Sequence, residues 1–297
     1  MTKRIALVTG ATGFVGSHLV KCLLTENWYV HIIIRPTSSL QQLQSVQDNL
    51  TIHTHDGTIH SMINIVGTIQ PSVVFHLASL FIAEHQSEDI TNLIDSNIRF
   101  GNYLVEAMIT HQVEYLVNTG TSWQHYQNQD YSPVCLYAAT KQAFEAILQY
   151  YIEANALNVI TLKLFDTYGS DDPRPKLLYL LNQIAKAQQS LPMSLGEQLI
   201  DLVHINDIVN AFVIAAERLL AGNVSRHEKY AVSSGEPLTL KELVRCYERI
   251  MQHNLPIVWG GRKYRKREVM MPWDKGQWIA GWEPQVKLEE GLNMLKH

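Results

Sequence analysis

The chain carries Gly10-Ala11-Thr12-Gly13-Phe14-Val15-Gly16 near its start, and this stretch decides the fold. Its Gly-x-x-Gly-x-x-Gly spacing lies between an apolar β-type run, Arg4–Val8, and a helical run, Phe14–Thr25. Glycines permit a tight turn and a close backbone approach, so the first amides of the helix can face a pyrophosphate. Glycines also occur in ordinary turns, but the strand–turn–helix context predicts a dinucleotide-binding unit.

Outward from this turn, short β-rich runs alternate with helical stretches. Further strands are predicted at Tyr29–Ile34, Leu50–His55, Ser72–Leu77, Val113–Asn118 and Val159–Phe165. The clearest helices are predicted at Asn92–Thr110 and Val134–Glu153. Such alternation implies parallel pairing with right-handed crossovers. The sequence therefore predicts an α/β fold with a doubly wound parallel sheet of the Rossmann type.

After Phe165 the pattern is less regular, beginning with a turn-rich stretch that contains Pro173 and Pro175. Beyond it we predict a helix at Lys176–Gln188, a strand at Leu199–Ile205, a helix at Asp207–Leu219, a strand at Lys229–Val232, a helix at Leu240–Gln252, a basic loop and a C-terminal helix. We therefore predict a dinucleotide-binding domain over residues 1–165 and a smaller, mixed C-terminal domain over 166–297, with 201–220 packing back onto the first.

Composition excludes several classes of protein. The 297 residues are 46% hydrophobic and carry a net charge of −4, which excludes a disordered chain and gives no electrostatic case for a nucleic-acid partner. Three cysteines without close spacing argue against a disulfide framework, and we expect no metal site. No apolar run is long enough for a signal peptide or a membrane span, so we expect a cytoplasmic protein without a membrane partner.

Arg35 ends the second strand, where an NAD site normally places an acidic residue for the ribose 2′-hydroxyl. A guanidinium there suits a 2′-phosphate, so NADP (as NADPH) is favoured over NAD. The simpler alternative is a solvated arginine at a strand end.

Tyr137 and Lys141 form the only Tyr-x-x-x-Lys among thirteen tyrosines. Residues four apart share a helix face, so the ammonium can lie beside the phenol, favour its ionised form and bind the nicotinamide ribose. Thr121 follows the fifth strand, where a hydroxyl can bond a substrate oxygen. The alternative for Thr121 is a polar turn that satisfies its own backbone.

With these residues the chain resembles the extended short-chain dehydrogenase/reductase family, which includes nucleotide-sugar epimerases, dehydratases and reductases. Beyond the glycine turn and Tyr137/Lys141, the resemblance rests on Asp56-Gly57, His76-Leu77-Ala78, Asn97, Asp201–Asp207 and Gly281-Trp282-Glu283-Pro284. It implies catalysis by Thr121, Tyr137 and Lys141. The cofactor-binding residues that it implies are Gly10, Thr12, Gly13, Phe14, Val15, Gly16, Arg35, Asp56, Gly57, Leu77, Ala78, Ser79, Asn97, Tyr137 and Lys141.

The resemblance also narrows the reaction. Dehydratases of the family place an Asp-Glu pair after the catalytic threonine, whereas Ser122-Trp123 stand here and cannot transfer protons that way. Arg35 favours NADPH, which is consumed in a net reduction. The sequence is most similar in type to the CDP-abequose synthase reductases, which implies reduction of a 4-keto-deoxysugar nucleotide. An NAD(P)-dependent 4-epimerase and a catalytically idle dinucleotide-binding regulator remain alternatives.

The resemblance makes residues 166–297 mainly a substrate-binding domain. Ile200 stands where the family often has a diphosphate-binding arginine, and Asp166 stands where it often has asparagine, so we expect the basic loop Gly261–Arg267 to supply the cations. The substrate-binding residues expected are Thr121, Ser122, Trp123, Asp166, Arg265 and Arg267. The resemblance also implies a homodimer, because the helices at 92–110 and 134–153 resemble the pair that builds a four-helix dimer interface in this family. Leu104 with Met108 and Ile147 with Tyr151 recur at four-residue spacing on one helix face.

Overall fold

The computed structural model describes residues 4–187 and 189–296. Its strands are β1 (Ile5–Thr9), β2 (Tyr29–Ile34), β3 (Leu50–Thr54), β4 (Val73–His76), β5 (Tyr115–Thr121), β6 (Asn158–Leu164), β7 (Asp166–Tyr168), β8 (Leu191–Met193), β9 (Leu199–Ile200), β10 (Leu202–His204), β11 (His227–Val232), β12 (Leu238–Thr239) and β13 (Ile257–Trp259). Its α-helices are α1 (Phe14–Thr25), α2 (Ile59–Ile69), α3 (Asp89–Ile94), α4 (Phe100–Thr110), α5 (Leu136–Ala154), α6 (Leu177–Ala187), α7 (Ile205–Leu220), α8 (Leu240–Met251) and α9 (Leu288–Met294).

Seven parallel strands form the central sheet, in the order β11-β6-β5-β4-β1-β2-β3. Strand β1 lies between β2 and β4, and its Ala6, Leu7 and Val8 are fully buried, as expected of a strand covered on both faces. Strand order reverses at β1, and ligands of such sheets bind at the carboxyl ends beside this switch point. The predicted doubly wound parallel sheet is confirmed.

Helices cover both faces of this sheet. Side chains of α1 and α7 pack on one face, and those of α2, α4 and α5 pack on the other. A third apolar cluster joins α6, α8 and α9 in the second half of the chain. Residues 201–220, predicted to pack back onto the first domain, include α7, which packs on the central sheet. Strand β11 also comes from the second half of the chain and pairs with β6. We keep the division at residue 165 as a proposal.

The structure divides or extends several predicted elements. The strand predicted at Leu199–Ile205 is two short strands, because the Asp201 carboxylate accepts hydrogen bonds from Ser233 Oγ (2.6 Å) and Ser234 N (2.8 Å) and separates β9 from β10. Residues Asp166–Tyr168, for which no strand is predicted, form β7 beside β10. The predicted end of α6, Gln188, lies outside the described residues.

The helix predicted at Asn92–Thr110 begins at Asp89 and contains a π-helical turn at Asp95–Arg99 between α3 and α4. The prediction that Leu104 and Met108 lie at a dimer interface is wrong, because both side chains are fully buried against the sheet. Tyr151 also points inward, and its hydroxyl donates to Glu106 Oε2 at 2.7 Å. Their four-residue spacing marks the face that builds the subunit core.

Within the described residues, no helix combines the length and the apolar character that a membrane crossing requires.

Candidate active site

The glycine turn is built for close backbone approach. Gly10 has a left-handed backbone (φ +70°), and a Cβ there would lie 2.6 Å from Ala78 N. A Cβ on Gly16 would collide with the carbonyl oxygen of Gly10. Among the described side chains none caps the start of α1, and its first turn holds no acidic residue. The amides at this helix start therefore fit the pyrophosphate of a dinucleotide.

Arg35 and Asp56 lie at the carboxyl ends of neighbouring strands, β2 and β3. Arg35 is exposed, and its backbone N–H donates to Ser38 Oγ at 3.0 Å. The Asp56 carboxylate accepts hydrogen bonds from Thr58 N (2.8 Å) and Thr58 Oγ1 (2.7 Å), which lower its pKa. Gly57 follows with a left-handed backbone (φ +94°) and open space around it. The exposed Arg35 side chain therefore lies at the carboxyl edge of the sheet, where a ribose of a bound dinucleotide would lie.

Asn97 lies in the π-helical turn and holds the loop after β4. Its Oδ1 accepts from Leu80 N (2.7 Å) and Ser79 Oγ (3.2 Å), and its Nδ2 donates to Leu80 O (3.0 Å) and Thr140 Oγ1 (2.9 Å). Thr140 in turn donates to the Tyr137 carbonyl. The Asn97 amide therefore connects the Leu77–Leu80 loop to α5, a role that sequence alone did not indicate.

Tyr137, Thr121 and Ser79 meet at the carboxyl edge of the sheet. The Tyr137 side chain is only 9% exposed, and the Ser79 and Thr121 side chains lie beside its phenol. Burial raises the pKa of Tyr137 to about 12, against the lowering effect of the Ser79 and Thr121 side chains and of the Arg174 charge. The net shift of the Tyr137 pKa is upward, opposite in direction to the effect expected from Lys141, because burial of the phenol dominates.

Lys141 lies one helical turn after Tyr137 and is buried. Burial lowers the pKa of Lys141 to about 8, while the Glu145 carboxylate opposes this change. At the end of β4, burial lowers the pKa of His76 to about 3, and the Lys141 charge is the second cause of this shift. His76 is therefore neutral, and its Nδ1 lies 2.9 Å from Thr9 Oγ1.

A cleft of 540 Å³ opens beside these residues. Phe81 on its wall packs edge-on against Tyr137, with ring centroids 5.0 Å apart, and lies 5.5 Å from Trp123. The predicted residues that line the cleft are Ser122, Trp123, Asp166 and Arg265. Arg267 instead donates to Ser132 Oγ at 2.7 Å and lies over the Tyr126 ring.

Two cations in this region were not predicted. Lys176 lines the cleft, 3.7 Å from Asp166 Oδ1 and 5.5 Å from the Phe81 ring centroid. Arg174 lies 4.5 Å from the Phe14 ring centroid at the start of α1 and pairs with Asp172. Arg174 lies inside the turn-rich stretch after β7 and Lys176 directly follows it, and the proline-rich sequence of this stretch is typical of an ordinary loop. The signal in the sequence that could have identified them as site residues is that both follow Asp166 within ten positions.

Residues 6–230 match the sequence pattern of the NAD dependent epimerase/dehydratase family, which is three quarters of the chain. The chain belongs to this family. Two curated relatives are CDP-abequose synthases: one from Salmonella typhimurium is 24% identical over 99% of this chain and 97% of its own, and one from Yersinia pseudotuberculosis is 26% identical over 90% of each.

Solved structures of the family share its fold. UDP-glucose 4-epimerase from Thermotoga maritima, with UDP-glucose, has a TM-score of 0.83 at 22% identity, over 98% of this chain and 96% of its own. UDP-glucose 4-epimerase from Thermus thermophilus, complexed with NAD, has a TM-score of 0.79 at 22% identity, over 98% and 97%. As a member of the epimerase/dehydratase family, the chain is an enzyme of the extended short-chain dehydrogenase/reductase type that uses a nicotinamide dinucleotide.

Proposed function

We propose that this enzyme is a cytoplasmic, NADPH-dependent reductase of a 4-keto-deoxysugar nucleotide, of the CDP-abequose synthase type. The observation that carries the proposal is the proximity of Thr121 to the Tyr137 phenol, with Lys141 one helical turn away, beside the 540 Å³ cleft. The CDP-abequose synthase names of two curated relatives support the choice of substrate class.

The residues present fit a bound NADP. The amides at the start of α1 suit the pyrophosphate, and Arg35 suits the 2′-phosphate. Lys141 would donate to the nicotinamide ribose, and the loop Leu77–Ser79 would lie beside the cofactor because Ala78 N is tied to Thr9 Oγ1 (3.2 Å). When bound, the reduced nicotinamide supplies the hydride for the reduction.

Tyr137 is the proton donor in the proposed reaction. With a pKa near 12 its phenol is protonated at neutral pH, so it can give its proton to the carbonyl oxygen as negative charge develops there. Thr121 donates a hydrogen bond to the same oxygen. Lys141 stabilises the phenolate left behind, because its ammonium is held on the same helix face.

The cleft wall fits a deoxygenated sugar. Phe81 packs against Tyr137 and Trp123 packs against Phe81, and the apolar faces of these rings favour a ring carbon without a hydroxyl. Asp166 can accept from a remaining sugar hydroxyl, and Arg265, over the Trp123 ring and paired with Glu268, is the cation that we assign to the diphosphate. Arg267 would contribute to substrate binding indirectly, by anchoring the loop that carries Ser132.

A 4-epimerase is the second candidate, supported by a curated relative from Halalkalibacterium halodurans named UDP-glucose 4-epimerase, 23% identical over 98% of this chain and 93% of its own. Arg35 favours the reductase, since an epimerase returns its cofactor unchanged and has no need of NADPH. An idle regulator would not need the Thr121–Tyr137 pair.

The deciding experiment follows NADPH fluorescence while the enzyme is incubated with CDP- and UDP-linked 4-keto-6-deoxy sugars. We expect one NADPH to be consumed for each sugar reduced. Conversion of a sugar nucleotide without net NADPH oxidation would support the epimerase, and NADPH binding without any conversion would support the regulator. Either result would refute the reductase.

A further inference from the structure

A buried ion pair lies behind the Thr121 turn. Glu145 on α5 and Lys163 on β6 are both almost completely buried, with Lys163 Nζ 3.7 Å from Glu145 Oε2. Lys229 on β11 reaches the same oxygen at 3.2 Å from a half-exposed position. Burial of charged groups costs desolvation free energy, and removal of one partner leaves an uncompensated buried charge. The sequence alone predicts no functional role for these residues.

Gln124 connects this pair to the Thr121 turn. Its Nε2 donates to Glu145 Oε1 at 2.7 Å and to Gln142 Oε1 at 2.7 Å. Its Oε1 accepts from the backbone N–H of Thr121 at 3.0 Å. Gln124 is fully buried, so loss of either contact leaves a polar group unsatisfied. The Glu145 carboxylate therefore fixes the backbone that presents the Thr121 hydroxyl.

His125 connects the pair to the cleft wall. Lys163 Nζ donates to His125 Nε2 at 2.7 Å, so His125 accepts there and its Nδ1–H donates to Gln129 O at 3.1 Å. Burial and the Lys163 charge lower the pKa of His125 and keep it neutral. Its ring stacks on Trp273, with centroids 4.0 Å apart, and Trp273 lines the cleft.

Glu145 also lies one helical turn after Lys141, on the same face of α5. The charged and titratable groups that face Lys141 are Tyr137 and Glu145 on its own helix and His76 on β4. Those that face Glu145 from other elements are Lys163, Lys229, His125 and His227. Glu145 is the only carboxylate in this set, within the described part of the chain.

We infer that Glu145 is a positioning residue: its buried carboxylate holds the Thr121 turn through Gln124 and lies one helical turn from Lys141. Lys163 and His125 extend the same network to Trp273 in the cleft wall. The inference rests on the proposed function in taking Thr121 and Lys141 as the working groups.

The two ends of the network predict shifts of opposite sign. Glu145→Gln keeps the shape of the side chain but removes the charge that favours the Lys141 ammonium. The alkaline limb of the kcat profile should then move to lower pH by about one unit, and kcat should fall about tenfold or more. Lys229→Met removes a positive charge beside Glu145, so the limb should move to higher pH. Lys229 is 43% exposed, so this variant is expected to fold even where Glu145→Gln does not.

The experiment measures kcat and the NADPH dissociation constant between pH 6 and 10 for wild type and both variants. Glu228→Gln is the matched control, since it removes a β11 carboxylate that pairs with Arg218 at 3.0 Å. Its pH profiles of kcat and of the NADPH dissociation constant should match those of wild type. An unchanged limb in Lys229→Met, or a shift of the same sign in both variants, would overturn the inference. NADPH binding needs no sugar, so the pH shift tests Glu145 even if wild type reduces no 4-keto sugar and the proposed function fails.

Discussion

Arg35 sets the expected cofactor preference at the scale of a single residue. Arg35→Asp removes a cation from a dianionic phosphate and offers an acceptor to a free ribose hydroxyl. The lost charge-assisted contact of about 1.5–3 kcal/mol corresponds to a roughly ten- to hundredfold weaker NADPH affinity, with a gain for NADH. Fluorescence titration measures both. Arg245→Asp, at an exposed position on α8, is the control. Wild type that binds NADH as tightly as NADPH would contradict this assignment.

Tyr137→Phe tests the proton donor. The ring packing against Phe81 survives, so NADPH affinity should stay near that of wild type. Turnover should fall by about 10²–10⁴-fold, the usual contribution of a positioned general acid. Single-turnover hydride transfer with prebound NADPH is the decisive measurement. Tyr150→Phe, on the exposed face of the same helix, should leave it unchanged. A near-normal rate in Tyr137→Phe would place the acid elsewhere.

Two further substitutions separate the neighbours of Tyr137. Thr121→Val should lower turnover less than Tyr137→Phe, because Tyr137 can still protonate the oxygen. Lys141→Met should lower turnover and weaken NADPH binding together, because Lys141 serves both. Equal losses in all three variants, with NADPH affinity unchanged, would argue against these separate roles.

The residues found from sequence share one property: their spacing along the chain reflects their chemistry. Glycines at a turn and a tyrosine four positions before a lysine are visible in one stretch of sequence. Arg174, Lys176 and Trp273 were not predicted as site residues, because their approach to the site depends on how β7 and the C-terminal segment cross the sheet edge. Glu145 and Lys163 are far apart in sequence and come together only because α5 packs beside β6.

At the scale of an element, the π-helical turn around Asn97 should matter for stability. Asn97→Ala leaves the Leu80 amide and carbonyl without their partner, at a cost of about 1–3 kcal/mol in the free energy of unfolding. Urea denaturation measures this cost. Asn92→Ala, at an exposed position nearby in α3, should change the free energy little. Equal effects of the two substitutions would show that the Asn97 contacts contribute nothing.

Long periodic elements were predictable and short ones were not. Strand β2 matches its predicted bounds, and α5 lies within two residues of them. The π-helical turn has no signature in hydrophobic spacing, because it depends on what Asn97 binds across the loop. Strands β8, β12 and β13 have two or three residues each, too few for any alternation to show.

At the scale of the whole molecule, we keep the homodimer as a prediction, now on different side chains. Tyr150 on α5 is 66% exposed and is the largest apolar group on the outer face of that helix. Light scattering at micromolar concentration should give twice the chain mass of 33.8 kDa. Tyr150→Glu should give the single-chain mass, because a charge at a two-fold interface faces its own copy. A single-chain mass for wild type would refute the dimer.

The pairing of β6 with β11 has a consequence for biosynthesis. Residues 165–226 separate these two neighbours, so β6 leaves the ribosome well before its partner exists. At ~5–20 residues per second the delay is about 3–12 s. During that time the buried apolar strand Asn158–Leu164 is an open sheet edge, which can pair with other chains. Expression cut after residue 165 makes that exposure permanent, and such a fragment should aggregate although it contains the entire glycine turn and the Tyr137/Lys141 pair.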